Sequence, residues 1–410
     1  MPDILIKNVR KSFSDVKTSG AEVFIHNGKI QTSIPANLPD DLIIMEKEEQ
    51  FIFKNLIDLG TKISEPGHEY RESLEQTCKA AADGGFSAII CFPDTYPVVD
   101  TKSSVEYVQS RSQKYENVRI FQIGALTKAS GGKELAEILE MNEAGAVAFS
   151  DGIHPVKNGG ILLRGLDYLR GIDKIIISTP YDEEMFPKGL VHEGSVSTLM
   201  GVPGIPAPAE EIIVNRDIEL ARYTGGRIHL NCISTAGSVA LVRKAKAEGL
   251  RVTCSVSANN LLFSVDDVAN YDSNLKLMPP LRETHVCDIL WAAVADGTID
   301  IITSQHMPYE VEKKDLEFPY ASFGALGLQT AIAGLLSKYP DENTSEIIQR
   351  AMSENIIKIF GLEGQFEQEK LTVAQKSEPM TFTEKDLISN CYNSPFIGRQ
   401  LTYKLSRIEN

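Results

Sequence analysis

The stretch NLIDLGTKISEPGHEYRESLEQTCKAAADGGFSAIICFPD (55–94) decides the fold, because it contains one complete strand, helix and strand unit. Its two apolar runs, at 55–60 and 87–94, have the near-continuous hydrophobic character of strands that are covered on both faces. Between them, residues 71–85 carry apolar side chains at helical spacing and end on two glycines. This pattern predicts two parallel strands joined by a crossover helix.

The same unit recurs through the middle of the chain. Further β-rich runs lie at 118–126, 145–152, 174–180, 227–234, 251–257 and 300–306. Helical segments separate them, for example at 133–146, 208–226 and 237–249. Eight strands over about 300 residues favour a closed (β/α)8 barrel over an open doubly wound sheet, and no Gly-x-Gly-x-x-Gly follows the first strand.

The two ends of the chain have a different pattern. A chain of 410 residues exceeds one ordinary core, so either two domains or a barrel with an appendage is expected. Residues 1–53 and 365–410 contain short strand-like runs without long helices between them. We therefore predict a barrel of residues 54–360 and a small β-sandwich-like domain built jointly from residues 1–53 and 361–410.

Composition and charge exclude several classes of partner. The 56 acidic side chains against 41 basic ones give a net charge of -15, which repels nucleic acid and anionic lipid. No stretch approaches the roughly 20 apolar residues of a membrane span, and we expect a cytoplasmic protein. The six cysteines contain no Cys-x-x-Cys pair, so buried free thiols are expected.

Active sites of such barrels lie at the carboxyl ends of the strands. A metal-dependent hydrolase needs imidazole and carboxylate ligands there, because Zn²⁺ must lower the pKa of a bound water to about 7. The chain has only seven histidines, with no His-x-His and no His-Glu-x-x-His. The expected ligand types are therefore scarce.

Several ordered motifs carry a family resemblance. DLGTKISEPG (58–67), AVAFSDG (146–152), NLKLMPPLR (274–282), GTIDIITSQHMPY (297–309) and FGALGLQTA (323–331) occur in this order. From about residue 50 onward the chain resembles dihydroorotases of the amidohydrolase superfamily. That resemblance implies a metal-hydrolase-like barrel acting on cyclic amides.

The resemblance also implies that most of the family's catalytic residues are replaced. The position of the family's catalytic Asp falls on Gln305. The family's metal-ligand positions fall on Gly60, Lys62, Asp151, Thr179 and Cys232, of which only Asp151 is a carboxylate. Candidate substrate-pocket positions are Ser64, Asp94, Met278 and His306. No cofactor is therefore expected.

Three of these positions allow two interpretations each. The Lys62 ammonium could replace the charge of a metal ion and pair with Asp151, or it could reach solvent. Cys232 is either a ligand for a soft metal or a buried small side chain. His306 is either a structural histidine with both nitrogens bonded or a vestigial substrate contact.

Three functions follow from the resemblance. The first is a catalytically inactive homodimer that acts as an assembly or regulatory subunit for aspartate transcarbamoylase. The second is an active cyclic-amide hydrolase with an atypical zinc site formed by Asp151, Cys232 and His306. The third is a small-molecule-binding sensor that uses the former catalytic pocket.

Overall fold

The computed structural model describes residues 3–10, 22–26, 29–31, 34–35, 38–39, 42–115, 117–366 and 370–408. Its strands are β1 Ile4–Arg10, β2 Glu22–His26, β3 Lys29–Ile30, β4 Ile43–Lys54, β5 Ile57–Thr61, β6 Ala88–Cys91, β7 Arg119–Gln122, β8 Ile175–Ser178, β9 Val191–His192, β10 Gly204–Ile205, β11 Arg227–Leu230, β12 Val252–Ser257, β13 Ile301–Thr303, β14 Leu371–Thr381 and β15 Gln400–Ile408. Its α-helices are α1 Leu74–Asp83, α2 Lys102–Ser112, α3 Ile138–Glu143, α4 Gly159–Arg170, α5 Ser195–Met200, α6 Pro208–Thr224, α7 Ala236–Ala247, α8 Ala258–Leu262, α9 Thr284–Ala295, α10 Val311–Lys314, α11 Ala331–Lys338, α12 Glu342–Gln349 and α13 Asn355–Phe360. A π-helical turn, Arg350–Glu354, joins α12 to α13.

Eight parallel segments close into a barrel. Their order is β5, β6, β7, the segment around Phe149, β8, β11, β12 and β13. Phe149 joins the two halves through single parallel bridges to Gly124 and Ile176. The predicted (β/α)8 barrel is confirmed, and each of the eight predicted runs contributes one segment.

Hydrogen bonds between the first and last strands close the barrel. The Ser304 N–H donates to Asp58 Oδ1 at 2.6 Å, and the Ser304 hydroxyl donates to Asp58 Oδ2 at 2.8 Å. The Thr303 hydroxyl donates to the Leu59 carbonyl at 2.5 Å. Asp58 therefore uses its fully buried carboxylate to hold β5 against the chain that follows β13.

Local sequence signals set the helix ends. Ser73 and Gln76 form a reciprocal capping box at the start of α1, which satisfies two backbone N–H groups that a helix leaves free. Pro208 occupies the first turn of α6, where its missing N–H costs nothing. Gly225 ends α6 at φ +66°, a conformation that a side chain disfavours.

Alternate strand residues pack into two different layers. Ile57, Leu59 and Ile90 belong to one apolar cluster with other strand residues, which fills the barrel interior. Ile89 and Cys91, their neighbours along the chain, pack instead with the surrounding helices. This period of two is what a strand covered on both faces requires.

Both ends of the chain contribute to one six-stranded sheet in the order β15-β14-β4-β1-β2-β3. β4 pairs parallel with β1 and antiparallel with β14, so residues near Lys54 lie beside Leu371. The predicted fold class, a barrel with a small β domain formed by both termini, is confirmed. Residues 1–2, 11–21, 27–28, 32–33, 36–37, 40–41, 367–369 and 409–410 of that predicted domain lie outside the described residues.

Two further predictions concern membrane spans and thiols. Within the described ranges, no helix has both the length and the apolar character that crossing a bilayer requires. All six cysteines are free and buried, as the sequence predicted.

Candidate functional site at the barrel mouth

At three strand ends at the mouth, one residue has a left-handed backbone conformation. Gly60 has φ +78°, while Cys232 and Gln305 both have φ +52°. Side chains other than glycine rarely adopt this region, and such outliers cluster at functional sites. The left-handed residues fall on three positions that the resemblance assigned to the catalytic apparatus.

The ring of Phe92 fills the space beside Gly60. A Cβ atom at residue 60 would lie 2.8 Å from Phe92 Cε2, and Phe92 is only 4% exposed. The first predicted ligand position therefore faces an aromatic ring.

Lys62 does not pair with Asp151, so this expectation was wrong. Asp151 accepts hydrogen bonds from the Thr127 N–H at 2.8 Å and the Thr127 hydroxyl at 2.6 Å. Among the described contacts, no ion pair joins Lys62 to Asp151. The Lys62 ammonium lies 5.5 Å from the centroid of the Tyr309 ring, and its charge acts on Asp94 instead.

Asp94 supports the turn that follows the fourth barrel segment. Its Oδ2 accepts from the Ile153 N–H at 3.3 Å, and its Oδ1 lies 3.8 Å from His154 Nε2. Burial raises the pKa of Asp94, while the charges of Lys62 and His154 oppose that rise. A Cβ at residue 152 would lie 1.9 Å from Asp94 Oδ2, so this approach requires Gly152.

Burial also acts on the neighbouring carboxylate. It raises the pKa of Asp151, although both hydrogen bonds from Thr127 oppose the change. The nearby charge of Asp94 adds to the rise. Two carboxylates with raised pKa values therefore lie near one another at the mouth, and the charges of Lys62 and His154 act on Asp94.

Thr179 and Cys232 bond to neighbouring protein atoms. The Thr179 hydroxyl donates to the Gly152 carbonyl at 2.6 Å. The Cys232 thiol lies 3.5 Å from Asn231 Oδ1 as a weak donor, and burial raises its pKa well above the usual range. The thiol is therefore neutral, which matches the interpretation of Cys232 as a buried small side chain.

Gln305 and Met278 bond to one another across the mouth. Gln305 Nε2 donates to the Met278 carbonyl at 2.7 Å. Its Oε1 is buried and accepts no hydrogen bond from any residue that the structure describes. Ser64 is 4% exposed, and its carbonyl accepts from the His68 N–H at 2.7 Å.

His306 is buried and both of its ring nitrogens have partners within the protein, which favours the interpretation as a structural histidine. Its Nδ1 accepts from the Gly327 N–H at 3.3 Å, so the ring proton lies on Nε2. Nε2 lies 2.9 Å from Glu72 Oε2 as a donor. Both ring nitrogens are thus engaged, and the residue is 1% exposed.

Sequence reasoning missed a buried network behind the mouth. Arg282 is 3% exposed, contacts His192 Nδ1 at 2.8 Å and donates through Nε to the Ser234 hydroxyl at 3.0 Å. The Glu210 carboxylate accepts from the Ser234 N–H at 2.8 Å and the Thr235 N–H at 3.1 Å. Ser234 and His192 lie 48 and 90 residues from Arg282 in the sequence. The one local signal for this network was therefore the charged residue at the end of the PPLR motif.

The space enclosed behind these residues is small. A cavity lined by Thr179, Cys232, Met278, Glu210 and Arg282 has a volume of about 10 Å³. One water molecule needs about 10 to 15 Å³ measured in this way. Pockets that bind drug-sized ligands usually measure about 300 to 1,000 Å³.

The side chains at the mouth do not fit a divalent metal ion. In the part of the chain that the structure describes, no three His, Cys, Asp or Glu side chains form a group that could hold a metal. Asp151, Cys232 and His306, the residual ligands of the alternative hydrolase, each bond to a different partner. The Lys62 ammonium would in addition repel a cation placed near Asp94.

A barrel with its mouth at the strand ends and a terminal β sheet is the fold that this chain shares with solved hydantoinase structures. The fold is similar to that of L-hydantoinase (dihydropyrimidinase) from Arthrobacter aurescens, with a TM-score of 0.81 over 98% of this chain and 94% of that chain, at 21% identity. A D-hydantoinase gives a TM-score of 0.79 over 98% of this chain and 93% of that chain, at 17% identity. At these identities the likeness shows the fold alone.

Sequence similarity identifies the family. The dihydro-orotase-like family model matches residues 49–238. The dihydroorotase of Syntrophus aciditrophicus is 35% identical over 94% of this chain and 92% of its own length. That of Pelotomaculum thermopropionicum is 41% identical over 77% of this chain and 74% of its own length. The chain therefore belongs to the dihydroorotase family, and the resemblance inferred from its motifs is confirmed.

Proposed function

We propose that this member of the dihydroorotase family does not hydrolyse cyclic amides. One observation carries the proposal: the cavity that reaches Thr179, Cys232 and Met278, three of the positions that the resemblance assigns to the site, measures about 10 Å³. A cyclic amide needs far more space than a single water molecule.

The donor set supports the same proposal. Metal-assisted hydrolysis needs a bound water whose pKa has fallen to about 7. At the positions that the resemblance assigns to ligands, Gly60 has no side chain and the Thr179 hydroxyl already donates to a carbonyl. Lys62 is a cation and would repel Zn²⁺, and burial raises the pKa of the Cys232 thiol, which opposes the thiolate form that binds zinc.

Zinc content and hydrolysis should be measured on one sample. We expect the protein, purified without a chelator, to carry far less than one zinc per chain and to hydrolyse dihydroorotate at the background rate. The dihydroorotase of Syntrophus aciditrophicus, prepared identically, is the control. Stoichiometric zinc together with turnover would refute the proposal and favour the altered hydrolase.

For a non-hydrolysing member we further propose an assembly role, as a homodimer that binds aspartate transcarbamoylase. This part rests on the family resemblance alone. We expect light scattering of the purified chain to give twice the mass of 45.1 kDa, and a heavier complex after aspartate transcarbamoylase from the same cell is added. Transcarbamoylase activity is assayed in parallel.

Two results would oppose the assembly role. One is an unchanged mass after mixing, and the other is an unchanged transcarbamoylase activity. Together they would favour the sensor, whose ligand would be recognised by a rise in melting temperature. The small cavity behind the mouth gives no support to that alternative.

A further inference from the structure

A cavity of about 420 Å³ is lined by three segments of the chain, 273–274, 309–315 and 384–397. Every residue within these segments is described, and no described residue before position 273 lines the cavity. Among the described residues, it shares no lining with the small cavity behind the mouth. Its size falls within the range of pockets that enclose small molecules.

One wall of this cavity contains Lys314, the last residue of α10. Lys314 is buried, and its Nζ donates to the carbonyls of Ser273 at 2.5 Å, Ser322 at 2.9 Å and Gly324 at 3.0 Å. In the described part of the chain, no carboxylate forms an ion pair with it. A buried ammonium group without a carboxylate partner is costly, so burial favours the neutral amine.

A second cation, the buried Lys276, acts on Lys314. Burial and this like charge lower the pKa of the Lys314 amine to about 7, although the carboxylate of Asp272 opposes the change. Desolvation and a neighbouring cation are two of the ways in which proteins make a lysine nucleophilic near neutral pH. About half of the Lys314 amines are therefore neutral at pH 7. For an ordinary exposed lysine the neutral fraction is about one in 2,500.

Two of the three carbonyls that hold Lys314 have another donor. The Ser273 carbonyl also accepts from a backbone N–H at 3.1 Å, and the Gly324 carbonyl accepts from Asn393 Nδ2 at 3.2 Å. Of the three, only the Ser322 carbonyl has no second donor among the described residues. A neutral amine has two N–H groups instead of three, so its lone pair would face one of these oxygens. The neutral amine can therefore turn towards the cavity at the cost of one hydrogen bond.

The rest of the lining selects the molecules that can reach the amine. Apolar surface comes from the side chains of four residues: Tyr309, Val311, Tyr392 and Ile397. Besides Lys314, the described lining has two charged side chains, the carboxylates of Asp315 and Glu384. These carboxylates repel an anion, so the cavity favours an uncharged molecule with a short hydrocarbon chain.

We propose that Lys314 condenses with a small, uncharged aldehyde that enters this cavity. The neutral amine attacks the carbonyl carbon, and the resulting carbinolamine loses water to give an imine. The two hydrogens of the amine leave with the aldehyde oxygen as one water molecule, so the step needs no oxidant or reductant. The site is separate from the small cavity behind the mouth, and the inference stands whether or not the chain hydrolyses cyclic amides.

Reductive trapping on the full chain tests the site. The protein is incubated at pH 7 with butanal and sodium cyanoborohydride, which reduces an imine to a stable secondary amine, and mass spectrometry locates the modified lysines. We expect Lys314 to be labelled at least about tenfold faster than the exposed neighbour Lys313. With glyoxylate, an anionic aldehyde, this ratio should fall at least about fivefold. Equal labelling of the two lysines would overturn the proposal, as would the same ratio for both aldehydes.

Unfolding and matched variants show whether the cavity causes the reactivity. In concentrated urea the preference for Lys314 should vanish, and its persistence would overturn the proposal. Lys276→Met removes the second cation and should move the half-maximal pH of Lys314 labelling upward by at least about 0.5 unit. Lys313→Met changes an exposed residue and should leave the labelling of Lys314 unchanged. Circular dichroism checks that each variant is folded. An unshifted pH profile in folded Lys276→Met would overturn the role given to the second cation.

Discussion

Glu72 and His306 lie 234 residues apart in the sequence and share one buried hydrogen bond. The Thr77 hydroxyl also donates to Glu72, at 2.7 Å. Neither side chain reaches solvent, so each depends on the other to satisfy a polar group. This pair fixes the start of α1 to the strand end that carries Gln305.

Removing the Glu72 carboxylate should therefore destabilise the protein. Glu72→Ala leaves the buried Nε2–H of His306 without an acceptor, which costs about 1 to 3 kcal/mol. Glu75→Ala is the control, because Glu75 is exposed and its ion pair among the described residues is with Lys79 on the same helix, worth about 0.5 kcal/mol. Urea unfolding measures both changes. Equal losses in the two variants would contradict the role given to the pair.

The same pair predicts a pH dependence. Burial would raise the pKa of Glu72, but the contact with His306 and the hydroxyls of Ser389 and Thr77 outweigh it and lower the pKa below 4.5. A lowered pKa in the folded state gives stability that is complete above pH 4.5 and is lost as the pH falls through the folded pKa. Between pH 5 and about 3, the wild type should lose more unfolding free energy than Glu72→Gln. Parallel losses would contradict this.

At the scale of elements, two buried lysines hold the loop 318–324 beside the barrel mouth. Lys276 Nζ donates to the carbonyls of Phe318, Pro319 and Ala321 at 2.7 to 3.0 Å. Lys314 Nζ donates to those of Ser273, Ser322 and Gly324 at 2.5 to 3.0 Å. Each amine thus supplies the hydrogen bonds that an irregular loop cannot make within its own backbone.

Lys314→Met should release this loop. The Ser322 carbonyl would lose its donor, at about 1 to 3 kcal/mol if it stays buried without a partner, while the carbonyls of Gly324 and Ser273 would keep their bonds from Asn393 and the Lys276 N–H. Amide hydrogen exchange within 318–324 should become at least about tenfold faster. Lys313→Met changes the exposed neighbouring lysine and should leave the exchange unchanged. Wild-type protection in Lys314→Met would show that other contacts hold the loop.

The elements show which features a sequence can predict. All eight barrel segments lie where apolar runs predicted them. The burial pattern of a strand depends on residues that are adjacent in the sequence, so it can be recognised locally. Partners distant in sequence were not predictable in this way: Lys62 acts on Asp94 rather than Asp151, and Arg282 contacts His192 from 90 residues away. Such pairs depend on how loops cross the mouth, which local patterns do not specify.

At the scale of the whole molecule, the terminal sheet and the barrel are tied together. The Thr372 hydroxyl of β14 donates to the Gly85 carbonyl at 2.7 Å, directly before the second barrel strand. Gln349 Nε2 donates to the Lys54 carbonyl at 3.1 Å, where β4 leads into the first barrel strand. We therefore expect the two parts to unfold in one transition.

The single tryptophan makes that expectation measurable. Trp291 lies on α9 of the barrel and stacks on Tyr339 with ring centroids 4.0 Å apart. Val373→Ala in β14 removes two buried methyl groups and should cost about 1.5 to 3 kcal/mol. The urea midpoint reported by Trp291 fluorescence should fall accordingly.

The control for this experiment lies on the same strand. Glu378→Ala changes an exposed residue of β14 and should alter stability by no more than about 0.5 kcal/mol. An unchanged Trp291 midpoint in Val373→Ala, together with a separate early loss of β structure in circular dichroism, would mean that the sheet unfolds independently.

The contact between Gly60 and Phe92 limits the order in which mutations could introduce a side chain at position 60. A histidine introduced at position 60 would place its Cβ 2.8 Å from the Phe92 ring and would have to adopt φ +78°. A smaller residue at position 92 would have to come first, and by itself it would leave a destabilising void in the barrel. A histidine at position 60 would thus have to be reached through a less stable intermediate.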